Sequence, residues 1–462
     1  MLLPRPKTTT SPLSSAAFRT HASILVRILV VCLSPLLIAA GCGSSSRAIA
    51  TAPPEYWQDV VIRYEDHTYS PTVRTVQLFK RGFELAPPIT DLENQEPLVL
   101  RFDDLQPNIE SLSYTVVHCT ADWAASDLMQ GQYLSGAMND YIPTGRQSYN
   151  TLQPFIHYEL EFPNGMMRFT RSGNYLLKVY RGSDEEDLVL TRRFMVTEQA
   201  LQIDAQVKAT RNIDLRDVAQ QVDLSIRYPG LYVQDPFGDI HVTVLQNMRW
   251  DDARTNFKPR FVRDNELVYD FPEQGLFMGG NEYRNFDLKN LRLATRNIGR
   301  IEPGAGAGVY EAYLLPDIKR NIRVYDNQRD NNGRFLVRND LVDGDPLGAD
   351  YVNVHFILPM SAELSEPVFV YGGFSDFTCQ NAYRMSWSPE EKAYGLKALL
   401  KQGFFDFTFA TRSQGASAAD LTAIEGSHYQ TENDYLVLVY LTDHQQRYDR
   451  LVGMRFVNSV RG

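Results

Sequence analysis

The chain has 462 residues, enough for two to four ordinary domains, and its 44% hydrophobic and 22% charged content suits globular folding, not disorder. Its formal charge is −10, and the only charged residues among the first 41 are Arg5, Lys7, Arg19 and Arg27. Without those four, 42 basic residues face 56 acidic ones, a net −14 that repels phosphate backbones and excludes a general nucleic-acid binder.

The N-terminal segment opens with scattered positive charge and an apolar run from Ile24 to Ala40, interrupted by Arg27. Its uninterrupted part is short for a membrane-spanning helix and has the size of a signal-peptide core. It ends in Ile38-Ala39-Ala40-Gly41-Cys42, followed by Gly43 and three serines. Small residues before a cysteine, then a flexible tether, resemble a bacterial lipobox, in which Cys42 takes a lipid and becomes the new N-terminus. The competing reading is an ordinary cleaved signal with an incidental cysteine.

From Tyr56 onward, short alternating runs are punctuated by turn residues, and aromatic residues (11%) raise the strand propensity. Strands are predicted at Val73–Phe79, Leu98–Phe102 before a turn at Asp103-Asp104, Ser113–Cys119, Tyr158–Phe162, Gly173–Tyr180 and Leu188–Val196. The second stretch contains Leu201–Val207, Val222–Ile226 and Ile240–Gln246. The third has Tyr351–Leu358, Val368–Tyr371, Tyr394–Leu400, Phe404–Phe409 and Tyr435–Leu441. Helical periodicity is confined to Asp122–Met129 and Ala416–Ile424. The expectation is an all-β chain of two to three immunoglobulin-like sandwiches in tandem after a lipoprotein signal peptide. Its segments are a signal peptide (1–41), a lipidated tether (42–55), an N-terminal sandwich (56–198), a middle β domain (199–350) and a C-terminal immunoglobulin-like, E-set sandwich (351–462).

Signatures of chemistry are scarce. The nucleophile-elbow, zincin, P-loop and dinucleotide-binding motifs are all missing. His118 and Cys119 are neighbours on a strand, so they point to opposite faces and make no nucleophile–base pair. Cys119 and Cys379 are compatible with a disulfide or with two buried thiols, and their spacing matches no zinc site. Asp326–Gly333 spaces oxygen side chains like a calcium loop, but Arg329 interrupts it and no glutamate closes it. No metal or other cofactor is expected. The aromatic turn Tyr371–Phe377, followed by Lys401–Phe407, resembles immunoglobulin-like modules appended to starch-active enzymes, where exposed aromatics stack on sugars. Core packing is the competing role.

Several stretches in order resemble the type IX secretion system plug protein family of Bacteroidetes-type bacteria. They include His118–Trp123 with Ser126-Asp127-Leu128, Phe162-Pro163-Asn164, Ser172–Tyr180 and Thr191–Val196. Gln246-Asn247 with Arg249-Trp250-Asp251, Gly279–Arg284 with Phe286-Asp287, and Lys401–Phe405 extend the resemblance from about Val73 to Gly453. It implies a non-enzymatic component that closes the periplasmic opening of an outer-membrane translocon β-barrel when no cargo is in transit. The barrel and, through the lipid on Cys42, the inner leaflet of the outer membrane are the implied partners, with the protein in the periplasm. Trp123, Arg249, Trp250, Phe374 and Phe377 are the candidate partner-binding anchors, since aromatic residues and arginine dominate interface hot spots. The alternative function is a periplasmic carbohydrate-binding lipoprotein, which requires exposed coplanar aromatics around Phe374, Phe377 and Trp387.

Overall fold

Strand Leu98–Asp104 shows how the first sandwich is made. It pairs with Val73–Lys80 on one side and Ile156–Phe162 on the other, and Arg146–Gln147 extends that sheet. Leu98, Leu100 and Phe102 point inward, while Arg101 on the other face bonds Glu159 at 2.5 Å and Glu84 at 2.6 Å. The strand runs through Asp103 and Asp104, where a turn was expected, because both carboxylates are buried in the assembled protein. The facing sheet runs His67–Thr68, Leu188–Thr197, Gly173–Arg181, Leu112–Cys119, Asn139–Tyr141, with Ile89–Asp91 parallel to Leu188–Thr197. Between the sheets Tyr175 stacks on Phe194 at 5.3 Å, and Phe162 meets Phe194 edge-on at 5.1 Å. This computed structural model describes residues 61–461 except 256, 271, 272 and 307; the proposed signal, the tether and Cys42 lie outside the described residues.

The second sandwich is closed by the end of the chain. One sheet holds Gln202–Ala209, Ala219–Arg227, Glu266–Tyr269 and Phe261–Arg263, with Leu276–Met278 also pairing Ala219–Arg227. The other holds Ile240–Gln246, Asp434–Asp443 and Tyr448–Asn458. Ile240 through Gln246 pair residue by residue with Leu441 through Tyr435. The third sandwich lies between these two parts in sequence. Its first sheet is Ile298–Glu302, Tyr310–Leu314, Tyr351–Pro359, Ala393–Lys401 and Ser386–Ser388; the second joins Arg284–Asp287, Gly403–Thr411, Phe335–Val337 and Val368–Tyr371.

The expected boundary between 350 and 351 is therefore overturned. Tyr310–Leu314 pairs in parallel with Tyr351–Pro359, and Arg284–Asp287 pairs with Gly403–Thr411, so that cut would divide two sheets. The third sandwich, roughly 281–426, is an insertion into the second, which comprises roughly 199–280 and 427–461. The all-β architecture itself is as expected. The predicted helix at Asp122–Met129 is instead a tight turn: Trp123 N–H donates to the Thr120 carbonyl at 3.0 Å, and Ser126 N–H to that of His118 at 2.9 Å. Within Ala416–Ile424 only the single turn Thr422–Glu425 begins a helix.

Alternation explains how the sandwiches join. In Asp434–Asp443, Tyr435, Val437, Val439 and Leu441 fill the second sandwich's own core. Leu436, Leu438 and Tyr440 point the other way and pack on Cys119, Trp123 and Leu176 of the first sandwich. A strand buried on both faces reads as an unbroken apolar run, and Tyr435–Leu441 is one.

Candidate functional site

The three sandwiches meet pairwise, and each contact is held by buried polar groups. Between the first and third, the Asp103 carboxylate accepts from Lys401 Nζ at 2.6 Å, the Tyr351 hydroxyl at 2.8 Å and His157 Nδ1 at 2.7 Å. The Asp103 and Lys401 side chains are each 1% exposed, and Lys401 Nζ sits 3.9 Å from the Phe155 ring centre. Burial pushes the Asp103 carboxyl up, but Lys401 and then His157 outweigh it and hold the group below the usual carboxylate range. Arg192, also buried, reaches Asp376 across the same contact at 3.3 Å.

Between the second and third sandwiches, Arg249 forks onto Asp251 at 3.1 and 3.0 Å. It also donates to the Tyr371 hydroxyl at 3.0 Å and the Ala419 carbonyl at 3.2 Å. Asp251 in turn accepts from Ala419 N–H at 2.9 Å. Between the first and second, Trp123 and Trp250 meet edge-on at 5.1 Å, with the Arg193 guanidinium 4.6 Å from one ring and 5.3 Å from the other. Cation–π contact to two indoles compensates part of the desolvation of that cation.

Where the three meet lies a cavity of about 770 Å³, lined by all three sandwiches. Arg193 and Met195 come from the first, Trp250 from the second, and Arg334, Phe377 and Arg412 from the third.

The five anchors expected on the surface are thus placed internally. Trp123 and Arg249 are buried at sandwich contacts, and Trp250 and Phe377 are half-buried and line the cavity. Phe374 is half-buried against Tyr383 at 5.2 Å and Phe405 at 6.0 Å. Strand alternation marks which residues lie on one face; it does not say whether a second sandwich covers that face. Phe374, Phe377 and Trp387 are half-buried and engaged within the fold: Phe377 is edge-on to Tyr371 and Trp387 is tilted on Tyr394.

The other candidate groups also have structural partners. Cys119 and Cys379 are buried free thiols, pushed by burial to about 12 and about 11. His118 bonds Ser126 Oγ at 2.9 Å and the Ser172 carbonyl at 3.0 Å, and burial lowers it to about 4. In the loop Asp326–Gly333, the Asp330 carboxylate accepts backbone N–H groups of Tyr283 and Asn332. Among the described residues, no group of three or more His, Cys, Asp or Glu is placed to hold a metal ion. Sequence reasoning missed Asp103, Lys401 and the cavity arginines. The one available signal was Lys401 in the Lys401–Phe405 stretch, a cation amid an otherwise apolar strand–turn pattern.

Residues 73–198 match the type 9 secretion system plug protein 1st domain, which corresponds to the first sandwich. The chain is also similar to the crystal structure of a hypothetical protein from Parabacteroides merdae ATCC 43184. That likeness has 29% identity and a TM-score of 0.82, and covers 86% of this chain and 100% of the other. No curated protein matches it. The domain match ties the chain to type IX secretion, a function of the bacterial envelope, and not to any known enzyme family. The first sandwich thus carries a type 9 secretion system plug protein 1st domain, which supports a place for the chain in the type IX secretion system plug family.

Proposed function

We propose that this protein is a non-enzymatic plug that closes the periplasmic mouth of the type IX outer-membrane translocon barrel, held at the inner leaflet by a lipid on Cys42. The observation that carries this reading is the matched plug domain joined to the third sandwich by the buried Asp103–Lys401 and Arg192–Asp376 ion pairs, in a body of three sandwiches. A plug must resist deformation, and hydrogen-bonded charges removed from water break only at a cost of several kcal/mol.

With the aromatic anchors internal, the docking contacts fall to exposed aliphatics. Ile322 and Val324 are 90% and 92% exposed, yet their loop is fixed at both ends. Arg320 Nε bonds Glu425 at 2.6 Å, and the Tyr325 hydroxyl bonds Glu282. Two β-branched aliphatics held in water by a pinned loop gain nothing within the chain, and they suit a partner's apolar surface.

The test is an affinity pull-down of tagged, full-length protein from detergent-solubilised outer membranes. A giant β-barrel subunit is expected as the leading partner. Replacing both Ile322→Glu and Val324→Glu is expected to cut its recovery about tenfold or more, as for loss of one strong anchor, with an unchanged melting temperature. Recovery of glycan-handling proteins in place of a barrel would sink the plug reading in favour of the sugar-binding one.

A further inference from the structure

The junction cavity has an electrostatic imbalance that the interdomain contacts do not use. Its lining holds five arginines and five acids, but the acids are already engaged. Asp251 is paired with Arg249 and Glu84 with Arg101, both partners outside the lining. Asp376 meets Arg192, Glu65 meets Arg63, and Asp66 accepts the Arg193 backbone N–H at 2.7 Å.

The cations are not all engaged. Arg193 donates from Nε to the Tyr64 carbonyl at 2.8 Å and otherwise faces two indoles. Among the described residues, neither Arg334 nor Arg412 makes an ion pair or a hydrogen bond from its guanidinium. The carboxylates that act on Arg334, such as Asp434 and Asp406, do so from beyond ion-pair distance, and burial outweighs them. The nearest ring to Arg412 is Phe369, its centre 5.8 Å from the guanidinium carbon. Both arginines flank one turn: an added Cβ on Gly373 would meet Arg334 Cα at 3.5 Å, and Arg412 acts on the Cys379 thiol. A half-buried guanidinium without a counter-ion is costly, and a planar carboxylate meets its forked donors directly.

We infer that this cavity binds a monocarboxylate carried on an apolar or aromatic body, its charge at Arg334 and Arg412 and its body against Trp250, Phe377 and Met195. The neighbouring acids would repel a dianionic phosphate, whereas one negative charge answers the unpaired donors. The volume falls within the usual range for small-ligand sites. Two sources carry this chemistry, the free C-terminus of a hydrophobic peptide and a fatty acid. The inference stands on the cavity and does not depend on translocon closure.

Titration calorimetry on the full chain tests it with four probes: N-acetyl-leucyl-phenylalanine, its C-terminal amide, decanoate and decanol. Saturable binding of the dipeptide acid, with the amide about tenfold weaker or worse, supports the site and assigns a peptide terminus. Binding of decanoate but not decanol supports it and assigns a lipid. Arg412→Gln and, separately, Arg334→Gln are each expected to weaken the bound acid about tenfold. Because Arg334 is the more enclosed, Arg412→Gln, checked for an unchanged melting temperature, is the decisive variant. Equal binding of acid and neutral probe, an unaffected Arg412→Gln, or no binding of either acid overturns the inference.

Discussion

Asp103→Ala is expected to lower the unfolding free energy by about 3–5 kcal/mol, the cost of breaking a buried ion pair by removing one partner. Three donors converge on this carboxylate from two sandwiches: Lys401 and Tyr351 of the third, and His157 of the first. Without it the Lys401 ammonium is left with the ring faces of Phe155 and Tyr351, at 3.9 and 5.9 Å, and the weaker pull of Asp345. Among the described residues His157 Nε2 has no hydrogen-bond partner, so the imidazole would lose the bond at Nδ1 as well. Urea unfolding should show a lower midpoint, and a shallower slope if the third sandwich separates from the first.

Lys401→Met in the Asp103→Ala background removes the stranded charge and should recover much of the loss. A coupling below about 0.5 kcal/mol in that double-mutant cycle would mean the two groups act independently, contrary to this account. Since the Asp103 carboxyl is held below its ordinary range, its contribution is present above the unfolded pKa and is lost as pH falls through the folded one. Acid should therefore loosen this contact in the wild type and have no such effect in Asp103→Ala.

The second large effect has the opposite sign in pH. Asp406 is fully buried, and burial followed by the neighbouring Asp330 pushes its carboxyl up to about 8. Asp330 is itself raised to about 7, by burial first. A carboxyl raised in the fold stabilises fully below its unfolded pKa, near 4, and that contribution drains away as pH rises towards the folded value. The protein should thus be weaker at pH 8 than at pH 5, with Asp330 and Asp406 titrating as a coupled pair.

Asp406→Asn keeps the shape and stays neutral. Its amide oxygen can still accept the Asn331 N–H. The expected gain at pH 8 is on the order of 3 kcal/mol, shrinking to little at pH 5. Thermal denaturation across that range measures it. An unchanged or lower melting temperature at pH 8, with the wild-type slope intact, would contradict the assignment.

Local patterns carried much of this fold. The alternation of Val73–Phe79, the buried run Leu98–Phe102 and the apolar run Tyr435–Leu441 marked strands that the structure contains. They did so because pleating sends successive side chains to opposite faces and burial selects one or both of them. The resembling stretches Ser172–Tyr180 and Thr191–Val196 fall within the matched plug domain, where they lie side by side as paired strands.

The class of structure and the low content of helix were legible in the residues, because they follow from strand patterning, and short motifs read in order gave the resemblance that the plug-domain match over residues 73–198 supports. The tertiary structure alone decided that the last hairpin closes the second sandwich, as Ile240 and Leu441 pair across some two hundred residues with no local mark of their partnership. It alone decided that Trp123 and Arg249 are internal, and that Asp103 in one sandwich answers Lys401 in another. Burial and charge pairing are properties of surfaces brought together by folding, and an exposed anchor and a covered one have the same letters until the covering sandwich is in place.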